Sequence, residues 1–278
     1  MWEAPAKLNL SLELQAADRS GYHPLRSLCQ TIDRVDLLTV DTGEDERLVI
    51  TGDDLLPDGE DNLVWRAVRC LVGRPDRPRL DMTLEKHIPA AAGLGGGSSD
   101  AAAALFGAAQ VYGRSEDEVW SCAPQVGADV AFLLEGGSAW MEGYGEMLTE
   151  IEPLGGFWVA VAVPAIEIST AAAYERWDRL DGPRGPDFAG RDLPPVLRPY
   201  GPLRNDLTPA AYSLEPELAD WSVDLAERWG RQVAMTGSGS AHFGFFADLE
   251  EAAAACADVP EARGAFAAGL RGTGVTAR

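Results

Sequence analysis

Positive charge is scarce in this chain: its 278 residues carry 23 Lys and Arg against 44 Asp and Glu, a formal net charge of −21. That balance argues against gripping long nucleic acid or an anionic membrane through a broad surface field, so any anionic ligand must be held by a local cluster of donors. Metal-binding side chains are also thin. The four cysteines, Cys29, Cys70, Cys122 and Cys256, share no metal-like spacing, and His23, His87 and His242 form no ligand pair. The thiols read as reduced and mostly buried in a cytoplasmic protein, and no protein metal ligands are assigned. No apolar run approaches the ~18 residues of a membrane span, and the amino terminus lacks a basic-then-apolar leader. What is present, 46% hydrophobic and 24% charged residues, suits one large or two ordinary globular domains.

Glycine is not scarce, and its placement organises the chain. The stretch from Pro89 to Ala104 runs a loop containing Gly93, Gly95, Gly96 and Gly97 straight into an alanine-rich segment of high helix propensity. Ser98, Ser99 and Asp100 supply helix-start chemistry. Free N–H groups and the positive end of a helix dipole would converge there, which makes an anion site, most naturally for phosphate. Neither standard nucleotide motif fits, since no Gly-Lys-Ser/Thr ending follows and the third glycine of G-x-G-x-x-G falls on Ser98. A flexible turn ahead of a packed helix is the other reading of the loop alone.

Along the chain, residues 6–14 alternate as a strand with Leu8, Leu10, Leu12 and Leu14 on one face and Lys7, Asn9, Ser11 and Glu13 on the other. The polar set is either a solvated face or a functional one. Asp18 to Leu25 is a turn-rich loop presenting Tyr22 and His23, a plug or a base-reading pair, and an apolar strand-like stretch follows to Val40. Residues 41–62 are acidic and turn-rich. A helix is expected over Leu63–Val72 with Val64, Ala67, Val68 and Leu71 on one side, broken by Arg74 to Pro78. A strand over Leu80–Leu84 then leads through Lys86 into the glycine loop.

Gly113 stops the alanine-rich helix, and Ser115 to Glu118 is a capping box opening another that Pro124 helps to close. Asp129 lies between a glycine and an apolar run, either as a turn former or as a carboxylate set at the edge of a core. Gly136 to Glu146 has strand-and-turn rhythm. A buried strand over Phe157–Pro164 opens a second half, and Ser169 and Thr170 can cap a helix through Tyr174 and Trp177. Gly182 to Pro202 reads as a long, mobile loop. Asn205-Asp206 precedes a helix over Leu218–Trp229, Ala234–Phe246 reads as two strand segments around a second glycine turn, and Leu249–Gly269 as mostly helix. The alternation of strands and helices in both halves gives an α+β fold in two layers.

Three blocks in this order, Ala4 to Leu10, Pro89 to Ala103 and Thr236 to Ser240, resemble the GHMP small-molecule kinases. Ala4 to Leu10, Gly21-Tyr-His23, Gly127-Ala-Asp-Val130 and Asn205-Asp206 point to the branch acting on a cytidyl-linked substrate. The resemblance runs over nearly the whole chain. It implies a two-domain α+β fold, an N-terminal domain like the second domain of ribosomal protein S5 over 1–155 and a ferredoxin-like C-terminal domain over 156–278, with the active site between them. It implies ATP as co-substrate, with Mg²⁺. Pro89, Gly93, Leu94, Gly95, Gly96, Gly97, Ser98, Ser99 and Asp100 would form the phosphate loop, and Asn62 and Lys86 would contact the adenine region.

The same resemblance assigns catalysis to Lys7 and Asp129, with Asn9 beside them. Substrate recognition would fall to Tyr22 and Tyr174 stacking on cytosine, His23 on its edge, and Thr170 nearby. The implied reaction is phosphorylation of the 2-hydroxyl of 4-diphosphocytidyl-2-C-methyl-D-erythritol in non-mevalonate isoprenoid synthesis, by a cytoplasmic monomer or homodimer with no nucleic-acid or membrane partner. Ala131 replaces the proline usual after the family's Asp-Val. Other GHMP kinases acting on homoserine, mevalonate or a sugar, and a non-catalytic nucleotide-binding relative, are the alternatives; Tyr22, His23 and Tyr174 speak against the first and Lys7 with Asp129 against the second.

Overall fold

The computed structural model describes residues 1–19, 21–52, 56–72 and 77–278. The first part of the expected helix break, residues 74–76, lies outside them. In chain order the elements are β1 (Trp2–Leu14), β2 (Leu25–Gly43), β3 (Arg47–Thr51), α1 (Leu63–Leu71), β4 (Arg79–Glu85), α2 (Gly96–Tyr112), α3 (Glu116–Val126), α4 (Val130–Glu135), β5 (Ser138–Gly143) and β6 (Met147–Glu150). There follow β7 (Trp158–Pro164), α5 (Thr170–Arg179), 3₁₀ turns at Gly190–Asp192 and Pro195–Tyr200, α6 (Thr208–Leu214), α7 (Pro216–Trp229), β8 (Ala234–Met235), β9 (His242–Phe246), α8 (Leu249–Ala257), β10 (Ala262–Ala268) and β11 (Thr276–Ala277).

Two sheets result. The first runs β11-β1-β2-β4-β3, with β5 also paired to β2 and β6 to β5; β3 and β4 are parallel and the other pairs antiparallel. The second runs β10-β7-β9-β8, antiparallel throughout. One core lies between the first sheet (Leu38, Leu80, Met82, Leu84) and the helices α1, α2 and α4. The alanines of α2 bring that helix close to the sheet: Ala101 to Ala104 are fully buried. A second core joins the two sheets, with Leu8, Leu10, Leu28 and Ile32 against Val159, Val161, Val163 and Phe243.

Several expectations hold. The buried face of α1 is Val64, Ala67, Val68 and Leu71, and Ser115 with Glu118 forms the reciprocal capping box of α3. Others are corrected. Residues 249–269 are not mostly helix: α8 ends at Ala257, and β10 follows, with Phe266 opposite Val161 of β7. Alanine content favours a helix, but Pro260 interrupts it and an open edge of β7 offers ladder partners, so tertiary pairing overrides propensity.

Gly182–Pro202 is not a bare loop; Phe188, Leu193 and Leu197 are buried beneath its two 3₁₀ turns. The segment 41–62 contains the end of β2 and all of β3. The helix α2 starts earlier than Ser98: Gly95 is its N-cap in a left-handed conformation, with no side-chain cap, so the two following glycines occupy the first turn. The thiols are not all free, because Cys70 of α1 is bonded to Cys122 of α3, leaving Cys29 and Cys256 free. The 52-residue separation hid that proximity in the sequence; packing of α1 on α3 brings their Cα atoms within 5.8 Å. No helix among the described residues is long and apolar enough to cross a membrane.

Candidate active site

A cleft of about 670 Å³ opens between the glycine loop, the start of α5 and the second glycine turn. Its floor comes from β1. The polar face of that strand is not solvated: Lys7, Asn9 and Ser11 are buried, Lys7 and Asn9 against the loop and the second turn, and Ser11 bonded to Ser27 and Leu28 of β2. The Lys7 backbone N–H donates to the Leu94 carbonyl at 2.9 Å, and that of Asn9 to Thr236 Oγ1 at 2.9 Å. One strand thus ties both glycine segments together. The Asn9 amide donates to Ser27 Oγ at 2.7 Å while its oxygen accepts from Lys7 Nζ.

Lys7 Nζ stands 3.2 Å from Asp129 Oδ2. Asp129 occupies the N-cap position of α4 without capping it, leaving its carboxylate about a quarter exposed to the cleft. With Ala131 following, the turn still presents the carboxylate to Lys7. Tyr174, on the first turns of α5, is half-buried; burial, with the Asp129 charge adding, pushes its hydroxyl up to about 12. Thr170 Oγ1 lies 2.8 Å from Ser238 Oγ, linking α5 to the second turn.

The phosphate-loop residues from Gly93 through Ser98 line the cleft, with Pro89 and Asp100. Gly95 is required twice: its φ is 73°, and a Cβ there would sit 2.8 Å from Lys7 Cγ. Ser99 Oγ and Asp100 Oδ1, in the first turns of α2, are buried and make no hydrogen bond. Burial pushes the Asp100 carboxyl up to about 7; Lys86 opposes that shift and Asp36 adds to it. Asn62 lines the far end, its oxygen capping α1 through Val64 N at 2.9 Å and its amide on the Pro57 carbonyl at 2.8 Å. Lys86 also borders the cleft, but its ammonium is buried between Asp36 and Asp100.

Two expected substrate residues, Tyr22 and His23, are not among those lining the cleft. Tyr22 is 69% exposed and lies edge-on to Tyr144, not facing Tyr174 across the cleft. His23 packs on Tyr174 and Trp177, and its Nε2 is 2.7 Å from Asp178 Oδ1. Sequence reading missed Asp36 and Thr236 as builders of the site. The signal for Asp36 was an acid set in the apolar run Val35 to Leu38; Thr236 was visible as the first residue of the Thr236 to Ser240 block but carried no assigned role.

Residues 62–137 match the model described as GHMP kinases N terminal domain. A 4-diphosphocytidyl-2-C-methyl-D-erythritol kinase of Cereibacter sphaeroides (strain KD131) is 40% identical over 265 residues, 92% of each chain. The chain belongs to the 4-diphosphocytidyl-2-C-methyl-D-erythritol kinase family. Another member, from Citrifermentans bemidjiense, is 34% identical over 96% of this chain and 97% of its own. A crystal structure of a 4-(cytidine 5'-diphospho)-2C-methyl-D-erythritol kinase superposes with a TM-score of 0.76 at 34% identity, covering 98% of this chain and 100% of that one. A homoserine kinase from Cytophaga hutchinsonii shares the fold at a TM-score of 0.69 and 17% identity, covering 99% of this chain and 96% of its own. Membership in the family makes the chain a kinase of GHMP fold with ATP as co-substrate.

Proposed function

We propose that this kinase transfers the γ-phosphoryl group of ATP to the 2-hydroxyl of 4-diphosphocytidyl-2-C-methyl-D-erythritol, a step of non-mevalonate isoprenoid synthesis. The observation that carries the reading is the Lys7–Asp129 pair, 3.2 Å apart, on the floor of a cleft walled by the head of α2 and by Tyr174. Asp129 accepts the hydroxyl proton as the hydroxyl oxygen bonds to phosphorus and the bond to the leaving ADP oxygen breaks. Lys7 draws the transferring group towards that oxygen, and Asn9 holds the Lys7 ammonium in place. The free N–H groups at the head of α2 receive the polyphosphate charge.

Among the described residues no cluster of His, Cys, Asp or Glu forms a metal site by itself. The unpaired oxygens of Ser99 and Asp100 suit a cation shared with phosphate, and these residues would hold Mg²⁺. Bound there, Mg²⁺ would supply charge neutralisation for the polyphosphate. Tyr174 is read as a stacking face for cytosine, with Thr170 beside it in the cleft and Tyr22 and His23, outside the cleft lining, as further contacts.

ATP consumption with the cytidyl substrate, set against homoserine and mevalonate and read by product mass, tests this. Phosphorylation of the cytidyl compound alone is expected. Turnover of homoserine or mevalonate in its place would overturn the substrate. An Asp129→Asn protein that binds ADP but transfers no phosphate is expected; unchanged transfer removes Asp129 from the mechanism.

A further inference from the structure

Lys7 and Lys86 are the only lysines in the sequence, every other basic side chain apart from three histidines being arginine. Both lie buried at the cleft. An ammonium is a compact point charge that can be enclosed and given three acceptors, whereas a guanidinium needs a planar fork. Lys86 sits where that compactness counts: a Cβ on Gly96 would be 3.4 Å from its Nζ, so the charge lies directly under the first residue of α2. Nothing in the motif around Lys86 explains what holds it there.

The holder is on another strand. Asp36 of β2 is fully buried. Its Oδ1 accepts the backbone N–H groups of His87 and Ile88, the latter at 2.8 Å, and its Oδ2 accepts from Lys86 Nζ. Lys86 Nζ donates in turn to Asp100 Oδ2 at 2.6 Å. One carboxylate oxygen therefore fixes the backbone leading into the glycine loop, and the other fixes the charge beneath it.

We propose that Asp36 is a positioning residue of the nucleotide site, setting the Lys86 ammonium under the head of α2 before the polyphosphate arrives. The inference rests on the reading of that helix end as the nucleotide-phosphate site. A charge already in place costs no reorganisation on binding. Asp36 touches no substrate itself.

The two oxygens allow the positioning role to be separated from a structural one. In Asp36→Asn the remaining oxygen can still accept from His87 and Ile88, but the new amide faces Lys86 with donor against donor. The backbone bonds survive and the ammonium loses its seat. Calorimetric titration with ADP and Mg²⁺ should show binding weakened about ten-fold, the worth of a hydrogen bond to a charged group. Steady-state kinetics should show a raised KM for ATP with the KM of the alcohol substrate unchanged; a buried ammonium facing an amide donor also lowers the melting temperature, so the split between the two KM values, read on the folded protein, is what separates positioning from structure.

Equal ADP affinity in a folded Asp36→Asn protein overturns the inference alone. A wild-type protein that binds no ADP removes the nucleotide reading and the inference with it. Should Asp36→Asn not fold, Lys86→Arg takes its place: it keeps the charge but displaces it from beneath Gly96, so the same loss of ADP affinity is expected and unchanged affinity overturns the proposal.

Discussion

Gly93 lies against Thr236 so closely that a Cβ on Gly93 would stand 2.3 Å from the Thr236 carbonyl oxygen. The two glycine segments, far apart in sequence, are in backbone contact, and the Ala241 N–H donates to the Ala92 carbonyl at 3.1 Å across the same seam. Gly93 also has a φ of 78°, which disfavours any side chain. Gly93→Ala is expected to lose on the order of 2 kcal/mol or more of stability, combining backbone strain with the clash. Gly97 makes the opposite case. A Cβ there meets only Leu63 Cδ1 at 3.5 Å, and the residue is in a helix. Gly97→Ala should therefore raise stability by about 0.5–1 kcal/mol while weakening ADP binding, if phosphate needs the bare backbone there. Urea unfolding and ADP titration of the two variants check this; undiminished ADP affinity in Gly97→Ala would mean phosphate does not approach that residue.

The contrast shows what could be read beforehand. Local rules were sufficient where one element settled the matter: the apolar stripe of α1, the capping box of α3, the loop between β4 and α2. They failed where a distant partner decided. Residues 262–268 became a strand because β7 had an edge to fill, and Cys70 met Cys122 because two helices packed together. The same holds in the site. Lys7, Asp129 and the glycines were legible as motif residues, whereas Asp36 and Thr236 act through contacts made 50 and 227 positions away. Tyr22 was legible as an aromatic but not in its direction, which Tyr144 sets.

Tyr174 and Tyr22 should consequently contribute unequally to binding of the cytidyl group. Tyr174 is held against His23, 5.4 Å between ring centroids, and lines the cleft near Asp129. Tyr22 must first leave Tyr144. Tyr174→Ala is expected to weaken binding of the cytidyl substrate by about 1–3 kcal/mol, the range for stacking on a base, without altering ADP affinity. Tyr22→Ala should cost less. Calorimetry with the substrate in the absence of ATP reads both, and an undiminished affinity in Tyr174→Ala would sink its role as stacking face.

The bond between Cys70 and Cys122 ties the helix that Asn62 caps to α3. Closing a loop of that length restricts the unfolded chain by up to about 4 kcal/mol in the chain-entropy model. A dithiol reductant should therefore lower the melting temperature of the wild type. Cys122→Ser should melt at the lower value with and without reductant. A wild-type melting temperature that ignores the reductant would show that the bond contributes nothing to stability.

His242 provides a prediction in pH. It is fully buried, between the rings of Tyr212 and Trp221. Its Nδ1 is 3.0 Å from the Ser240 carbonyl, which can only accept, so Nδ1 carries the proton and Nε2 accepts from the Tyr212 hydroxyl at 2.9 Å. Burial pushes the imidazole from 6.5 down to about 4, the Ser240 carbonyl only partly opposing. The fold thus favours the neutral ring. Above the ordinary value of 6.5 both native and unfolded chains hold it neutral and its stabilising contribution is complete. As pH falls below that value the unfolded chain takes up a proton the native one refuses, and stability drains until the native ring titrates near 4, a total on the order of 3 kcal/mol. His242→Phe removes the titration and keeps an aromatic ring. Whatever the variant's stability at about pH 7, its difference from the wild type should move in its favour by about 2 kcal/mol at about pH 5, as measured by urea unfolding. A difference that stays constant between those two pH values would mean that the native protein does not hold His242 neutral.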